Sequence, residues 1–262
     1  MSFLPCGVTT LLTDLGLGDP SVGIMKGVMI SRFAQIKIVD LCHFVPPKDV
    51  FWASFALAGS YKNFPPGTVH CAVVAAGFGT KRGILVAEIA GHTFVAPDNG
   101  LLTRVLAVPG AVVRRVDLER VPVAPVRRSL HTRDIVAPIG ALLASGKLAG
   151  KDVGEVEDEF RSLEDWPVQS SEAMAQGVIV GEDRFGNLFT TLTEEDVPQK
   201  GKLVVQLAGR RLELVHTLTQ VDSGVGMAMF NSFGMLEVAI RDGRASEEFA
   251  WERGTPIQAS VI

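Results

Sequence analysis

The chain has 262 residues, enough for one large domain or two smaller ones. Its 47% hydrophobic and 21% charged residues describe a packed globular protein, not a disordered one. A net charge of −4 and a pI near 5.8 give it no overall electrostatic attraction to nucleic acid or to an anionic membrane surface.

Near the start no basic run precedes an apolar one, so a secretory signal is not expected. Val8 to Thr13 is a short apolar strand that ends at Asp14-Leu-Gly-Leu-Gly-Asp19. A helix is predicted from Pro20 to Phe33, where Val22, Met25, Val28 and Met29 recur at helical spacing. Ile36 to Leu41 reads as a buried strand, Asp49 to Tyr61 as a helix, and Val69 to Ala75 as a third strand after the turn Pro65-Pro66-Gly67. Continuous apolar strands alternating with helices argue for a mostly parallel α/β sheet. Ile84 to Ile89 and Thr93 to Ala96 form a hairpin pattern around Ala90-Gly91; Glu88 and His92 interrupt this apolar run, which is also too short to cross a bilayer. Asp98-Asn99-Gly100 precedes a helix, Ala111 to Val116 is another strand, and a proline-rich loop (Pro122, Pro125) leads to His131-Thr-Arg-Asp134. A helix is expected from there to Ser145, with Thr132 as a candidate cap and Asp134 near its positive end.

The pattern changes after Gly150. An acidic, irregular stretch follows, and from Gly177 onward short strands alternate with turns: 178–180, 188–192, 203–207, 212–215, 227–230, 236–240 and 257–261. The expected organisation is an N-terminal α/β sandwich domain over residues 1–163, a linker over 164–176, and a C-terminal antiparallel β-barrel-like domain over 177–262. Cys6, Cys42 and Cys71 form neither a CxxC pattern nor a disulfide framework, which points to a reducing cytoplasm.

Five stretches could carry chemistry. Asp14 and Asp19 lie between a first strand and a helix, where open parallel sheets bind ligands. Carboxylates there suit a ribose diol or an ammonium group, or they only cap the turn and the helix. Arg82, in Gly77-Phe-Gly-Thr-Lys-Arg82, either faces a ligand or is a solvated turn residue. His131 is either a base or water ligand, or a packing histidine; zinc is not expected without HxxxH spacing. Asp183-Arg-Phe-Gly-Asn187 is either a plain β-turn or one that presents Phe185 for stacking and Asn187 for base-edge hydrogen bonds. Asn231-Ser-Phe-Gly234 is a turn that could also offer a hydroxyl and N–H groups to a carboxylate.

Taken in order, the blocks TLLTDLGLGD-SVGIMKGV, IVDLCHFVPPKDV, FPPGTVHCAVV--GFGTKRGI, FVAPDNGLL, LHTRDIVAP, DRFGNLFT and NSFGMLEVA resemble the S-adenosyl-L-methionine hydroxide adenosyltransferases, relatives of the fluorinating and chlorinating enzymes that use the same substrate. The resemblance runs from Thr9 to Ser246. It implies a metal-independent, cofactor-free homotrimer that binds a small molecule, S-adenosyl-L-methionine, between the N-terminal domain of one subunit and the C-terminal domain of the next. It implies that Asp14 holds the ribose hydroxyls and that Asp19 and Ser21 hold the methionine end. Phe185 and Asn187 would contact adenine, and Asp183 and Ser232 would lie near the amino-acid moiety.

In hydrolytic members an Asp, Arg, His set surrounds the attacking water. Arg82 and His131 align with two of these. The usual VVDPGVG reads Val73-Val-Ala-Ala-Gly-Phe-Gly79, so Ala75 stands where the carboxylate is expected; halide-using members carry tyrosine there. Thr132 also departs from the glycine that hydrolytic members carry beside the histidine. The expected activity is cleavage by water or hydroxide at C5′, giving adenosine and L-methionine, with Arg82, His131 and Thr132 at the nucleophile. Halide-dependent adenosyl transfer and non-catalytic binding of the same ligand are the alternatives.

Overall fold

The computed structural model describes residues 4–76, 83–123, 132–164, 166 and 168–262. It divides into two compact units, Met1–Leu163 and Glu164–Ile262. In the first, a six-stranded sheet has the order β2-β1-β3-β5-β4-β6. The strands are β1 (Val8–Thr13), β2 (Lys37–Cys42), β3 (Val69–Val73), β4 (Ile84–Ile89), β5 (His92–Pro97) and β6 (Val112–Arg115). β2, β1, β3 and β5 run parallel, and β4 is antiparallel to both β5 and β6. β3 is buried along its whole length, as its run of apolar residues requires of a strand covered on both faces.

The helices supply that cover. On one face Leu11, Cys71 and Val73 pack with Met25 and Met29 of α1 (Ser21–Arg32) and with Ile139 and Leu143 of α4 (Ala137–Ala144). On the other, Leu12, Ala72 and Val74 pack with Ala53 and Leu57 of α2 (Val50–Ser60) and with Val105 of the single-turn α3 (Thr103–Leu106). Successive strand residues thus serve opposite layers, as period-two geometry dictates. Asp49 starts α2 by accepting the Trp52 N–H at 2.9 Å. Gly140 lets α4 approach the sheet, since a Cβ there would collide with Cys71 Sγ. The β4–β5 hairpin turns at Ala90 and Gly91, with φ of 51° and 81°. This is the pair of left-handed residues that a two-residue hairpin needs.

One expectation changes here, and the placement of Asp134 in the first helical turn holds. Thr132 does not cap a helix: it begins a π-helical turn, Thr132–Val136, that runs into α4. Asp134 pairs with the neighbouring Arg133, Nε to Oδ1 at 2.6 Å.

In the second unit the strands are β7 (Gln169–Ser170), β8 (Met174–Glu182), β9 (Leu188–Thr193), β10 (Leu203–Leu207), β11 (Arg210–Leu214), β12 (Gly226–Phe230), β13 (Met235–Ile240) and β14 (Pro256–Val261). β14 pairs with both β10 and β8, which closes seven strands into a barrel with β7 added outside. Closure removes the sheet edges. Ile179, Leu192, Val205, Leu212, Ala228, Val238 and Ile257 belong to its core. One pair, β11 with β12, is parallel, a feature that the alternating pattern does not encode. The stretch expected as a connector, 164–176, carries β7 and the start of β8. No helix among the described residues is long and apolar enough to cross a membrane.

Candidate active site

The parallel strands of the first unit all end at one edge, where β1 runs into Asp14, β2 into His43 and β3 into Val74. Asp14 Oδ2 accepts the N–H of Lys48 at 2.9 Å and of Ala75 at 3.2 Å. Its Oδ1 has no partner among the described residues and is left to accept from a ligand hydroxyl. Asn99 holds the same segment from the other side. Its Nδ2 donates to the carbonyls of Val74 at 2.8 Å and Ala75 at 3.4 Å, and its Oδ1 accepts the Leu101 N–H at 3.2 Å. Ala75 is thereby fixed at φ 48°, a left-handed conformation unusual for alanine.

Asp19 and Ser21 lie at the start of α1. Asp19 Oδ1 accepts the Ser21 N–H at 2.7 Å. Hydrogen bonds from the Ser21 hydroxyl and N–H hold the Asp19 carboxyl below its ordinary value. Asp19 thus holds the Ser21 amide just ahead of α1, whose N-cap position is Pro20. Thr132 is buried, and its hydroxyl has no hydrogen-bond partner among the described residues. Such an orphan hydroxyl fits a site that a water or ligand completes. Arg82 and His131 lie outside the described residues, as does the rest of the Gly77–Arg82 turn.

In the second unit the β8–β9 turn is organised by Asp183. Its Oδ1 accepts the N–H groups of Phe185 at 2.8 Å and Asn187 at 2.9 Å, and its Oδ2 accepts from Asn187 Nδ2 at 3.1 Å. The turn leaves the Phe185 ring 72% exposed, ready to lie against a flat partner. The β12–β13 turn repeats the device: Asn231 Oδ1 accepts the N–H groups of Phe233 at 2.9 Å and Met235 at 3.1 Å, with Ser232 exposed.

Between these turns along β13 stands Glu237, a buried acid opposite Phe189 of β9. Burial pushes its carboxyl above the ordinary range, the Asp183 charge adds to the rise, and the nearby Asn231 side chain opposes it. Asn231 Nδ2 is itself buried without a well-formed hydrogen bond. Glu237, Asn231, Asn99 and His43 were not among the expected site residues. A charge inside the apolar strand MLEVAI was the one signal available for Glu237. Among the described residues no group of three or more His, Cys, Asp or Glu side chains is gathered to hold a metal ion.

Family models of the SAM hydroxide adenosyltransferase N-terminal domain and C-terminal domain match residues 9–154 and 177–258. The chain belongs to the SAM hydroxide adenosyltransferase family. It is 36% identical to the (R)-S-adenosyl-L-methionine hydrolase of Thermus thermophilus over 94% of this chain and 97% of that one. A fluorinase of Nocardia brasiliensis is 26% identical over 97% of each chain. The crystal structure of an uncharacterized conserved protein from Thermotoga maritima superposes with a TM-score of 0.87. It is 30% identical over 96% of this chain and 99% of that one.

Proposed function

We infer that this protein cleaves S-adenosyl-L-methionine by attack of water or hydroxide at C5′, giving adenosine and L-methionine. The carrying observation is Asp14, in a chain of this family: a carboxylate fixed by two amides at the sheet edge, with one oxygen left for a ribose hydroxyl. In this reading Asp19, Ser21, Asp183 and Ser232 receive the methionine end. Phe185 stacks on adenine and Asn187 reads its edge. Arg82, His131 and Thr132 surround the nucleophile. Arg82 stays protonated, so His131 is the base. The sulfonium leaves as a neutral thioether, so no general acid is needed, and the work is to orient and desolvate the nucleophile. The active assembly is a homotrimer in a reducing cytoplasm, each site shared by two subunits, with the substrate needing no resident cofactor.

Ala75 favours a second reading. Without a carboxylate at that position Arg82 is not offset, and the pocket suits an anion such as chloride. Incubating the pure protein with S-adenosyl-L-methionine, with and without halide, separates the two by chromatography of the products. Adenosine is expected; a 5′-halo nucleoside establishes halide transfer, and binding without turnover establishes a non-catalytic binder. Ala75→Asp is expected to raise hydrolysis by supplying a partner for Arg82 and the water. No gain means that the pocket is built around another nucleophile.

A further inference from the structure

His43 is 3% exposed and lies directly after β2, at the edge that carries Asp14. Its Nε2 lies 3.0 Å from Asp40 Oδ1, close but not well aligned as a hydrogen bond, and Asp40 Oδ2 receives Lys26 Nζ at 2.7 Å. A carboxylate offers only lone pairs, so it favours the tautomer with the proton on Nε2. Nδ1 is then the acceptor for the buried Thr13 hydroxyl, 2.8 Å away. That hydroxyl in turn accepts the Leu15 N–H at 3.4 Å. The result is a one-directional chain, Leu15 N–H to Thr13 to His43, with His43 anchored on Asp40, and it wraps around Asp14 from both sides in sequence.

The main chain reinforces it. The His43 carbonyl accepts the Gly16 N–H at 2.6 Å, and the Thr13 carbonyl accepts the Val45 N–H at 3.4 Å. These bonds stitch the loop after β1 to the loop after β2. The second loop ends at Lys48, held at φ 65°, whose amide donates to Asp14 Oδ2. A left-handed lysine costs free energy, and the bond to Asp14 is what its amide gains in that pose.

We propose that His43 is a positioning residue for Asp14: through Thr13 and through the loop carrying the Lys48 amide, it sets the direction of the carboxylate oxygen offered to a ribose diol. This deepens the reading of Asp14 as the ribose ligand and rests on it. A histidine that merely filled space would support both loops equally whatever ligand is bound. A positioning histidine affects only ligands that carry the diol.

Calorimetric affinities for adenosine and 2′,3′-dideoxyadenosine, measured on the full chain with melting curves alongside, test this. The parent is expected to prefer adenosine by about thirtyfold, the scale of hydrogen bonds to a charged group. Thr13→Val, nearly isosteric, should cut that preference by about tenfold while affinity for the dideoxy compound holds within about twofold. Thr13→Ser should restore it. Asp40→Ala, at a half-exposed position that folding tolerates, should cut it by about threefold. In an Asp14→Ala background Thr13→Val should change nothing further, because coupled residues are non-additive. An unchanged preference in both Thr13→Val and Asp40→Ala overturns the proposal, as does an equal loss of affinity for both ligands. A parent with no preference for adenosine overturns the ribose role of Asp14 itself, and with it the role of His43.

Discussion

The two units present their candidate ligand groups in opposite ways. Asp14 is fixed by bonds to residues 34 and 61 positions away, so its orientation belongs to the whole sheet edge. The Asp183 and Asn231 side-chain oxygens accept from residues two and four positions away, so each turn is shaped locally and leaves Phe185 and Phe233 exposed. A group held by distant parts of the chain cannot be changed without disturbing the scaffold. A group at the tip of a local turn, like Phe185, can.

The sharpest test of this contrast is Asp14→Ala. It removes the acceptor for the Lys48 and Ala75 amides and for the ligand, so both stability and binding should fall. A loss of about 1–3 kcal/mol in urea unfolding and roughly a hundredfold in adenosine affinity is expected. Loss of affinity with unchanged stability would show that the edge does not depend on this carboxylate.

Next in size is the response to acid, which should differ in sign between the units. His70 and His92 are buried side by side, with His70 Nδ1 2.8 Å from Thr10 Oγ1 and Nε2 3.1 Å from His92 Nδ1. Burial, with the charge of His92 adding to it, depresses His70 to about 3, and burial lowers His92 as well. The unfolded chain therefore binds protons more readily below pH ~6.5. The stability from His70 is complete above that pH and is lost progressively toward pH 3, about 2 kcal/mol of it by pH 5. Glu237 acts the other way: its raised folded value makes the second unit less stable as pH rises above the ordinary carboxyl range. Denaturation curves from pH 8 to 4 should thus steepen in the first unit's favour at high pH, and His70→Gln should flatten the fall. A flat profile in the parent would refute the neutral buried pair.

Smaller again, Phe185→Ala should weaken nucleoside binding by about 1–2 kcal/mol, the range for a base on an aromatic face. Stability should stay within about 0.5 kcal/mol, as for an exposed side chain. A clear loss of stability would mean that the ring is packed against the protein in solution. Last, Ala75→Gly should stabilise by about 0.5–1 kcal/mol by relieving the left-handed alanine. A loss instead would show that the freedom added to the unfolded chain outweighs the strain.

The same contrast governs what could be seen in the sequence. Runs such as Val69 to Val73 and Leu203 to Leu207 declared themselves as strands because burial demands apolar side chains. The motif DRFGN marked its turn because Asp183 and Asn187 bond locally. The Asp14 edge was legible only as a pair of acids before a helix, because its fixing partners are the amides of Lys48 and Ala75, and amides leave no trace in residue identity. The π-helical turn at Thr132 and the parallel β11–β12 pair escaped for a related reason. Both depend on where distant segments are placed, not on the local alternation of side chains.

Gly140 and Cys71 carry a final consequence. Because α4 presses onto the sheet where Gly140 has no side chain, the Cys71 thiol is sealed beneath it, and burial pushes it up to about 12. Cys6 is exposed. A thiol reagent should therefore mark Cys6 at once and Cys71 only when helix and sheet part. The slow labelling phase becomes an internal clock for the opening of the first unit, read without any engineered probe.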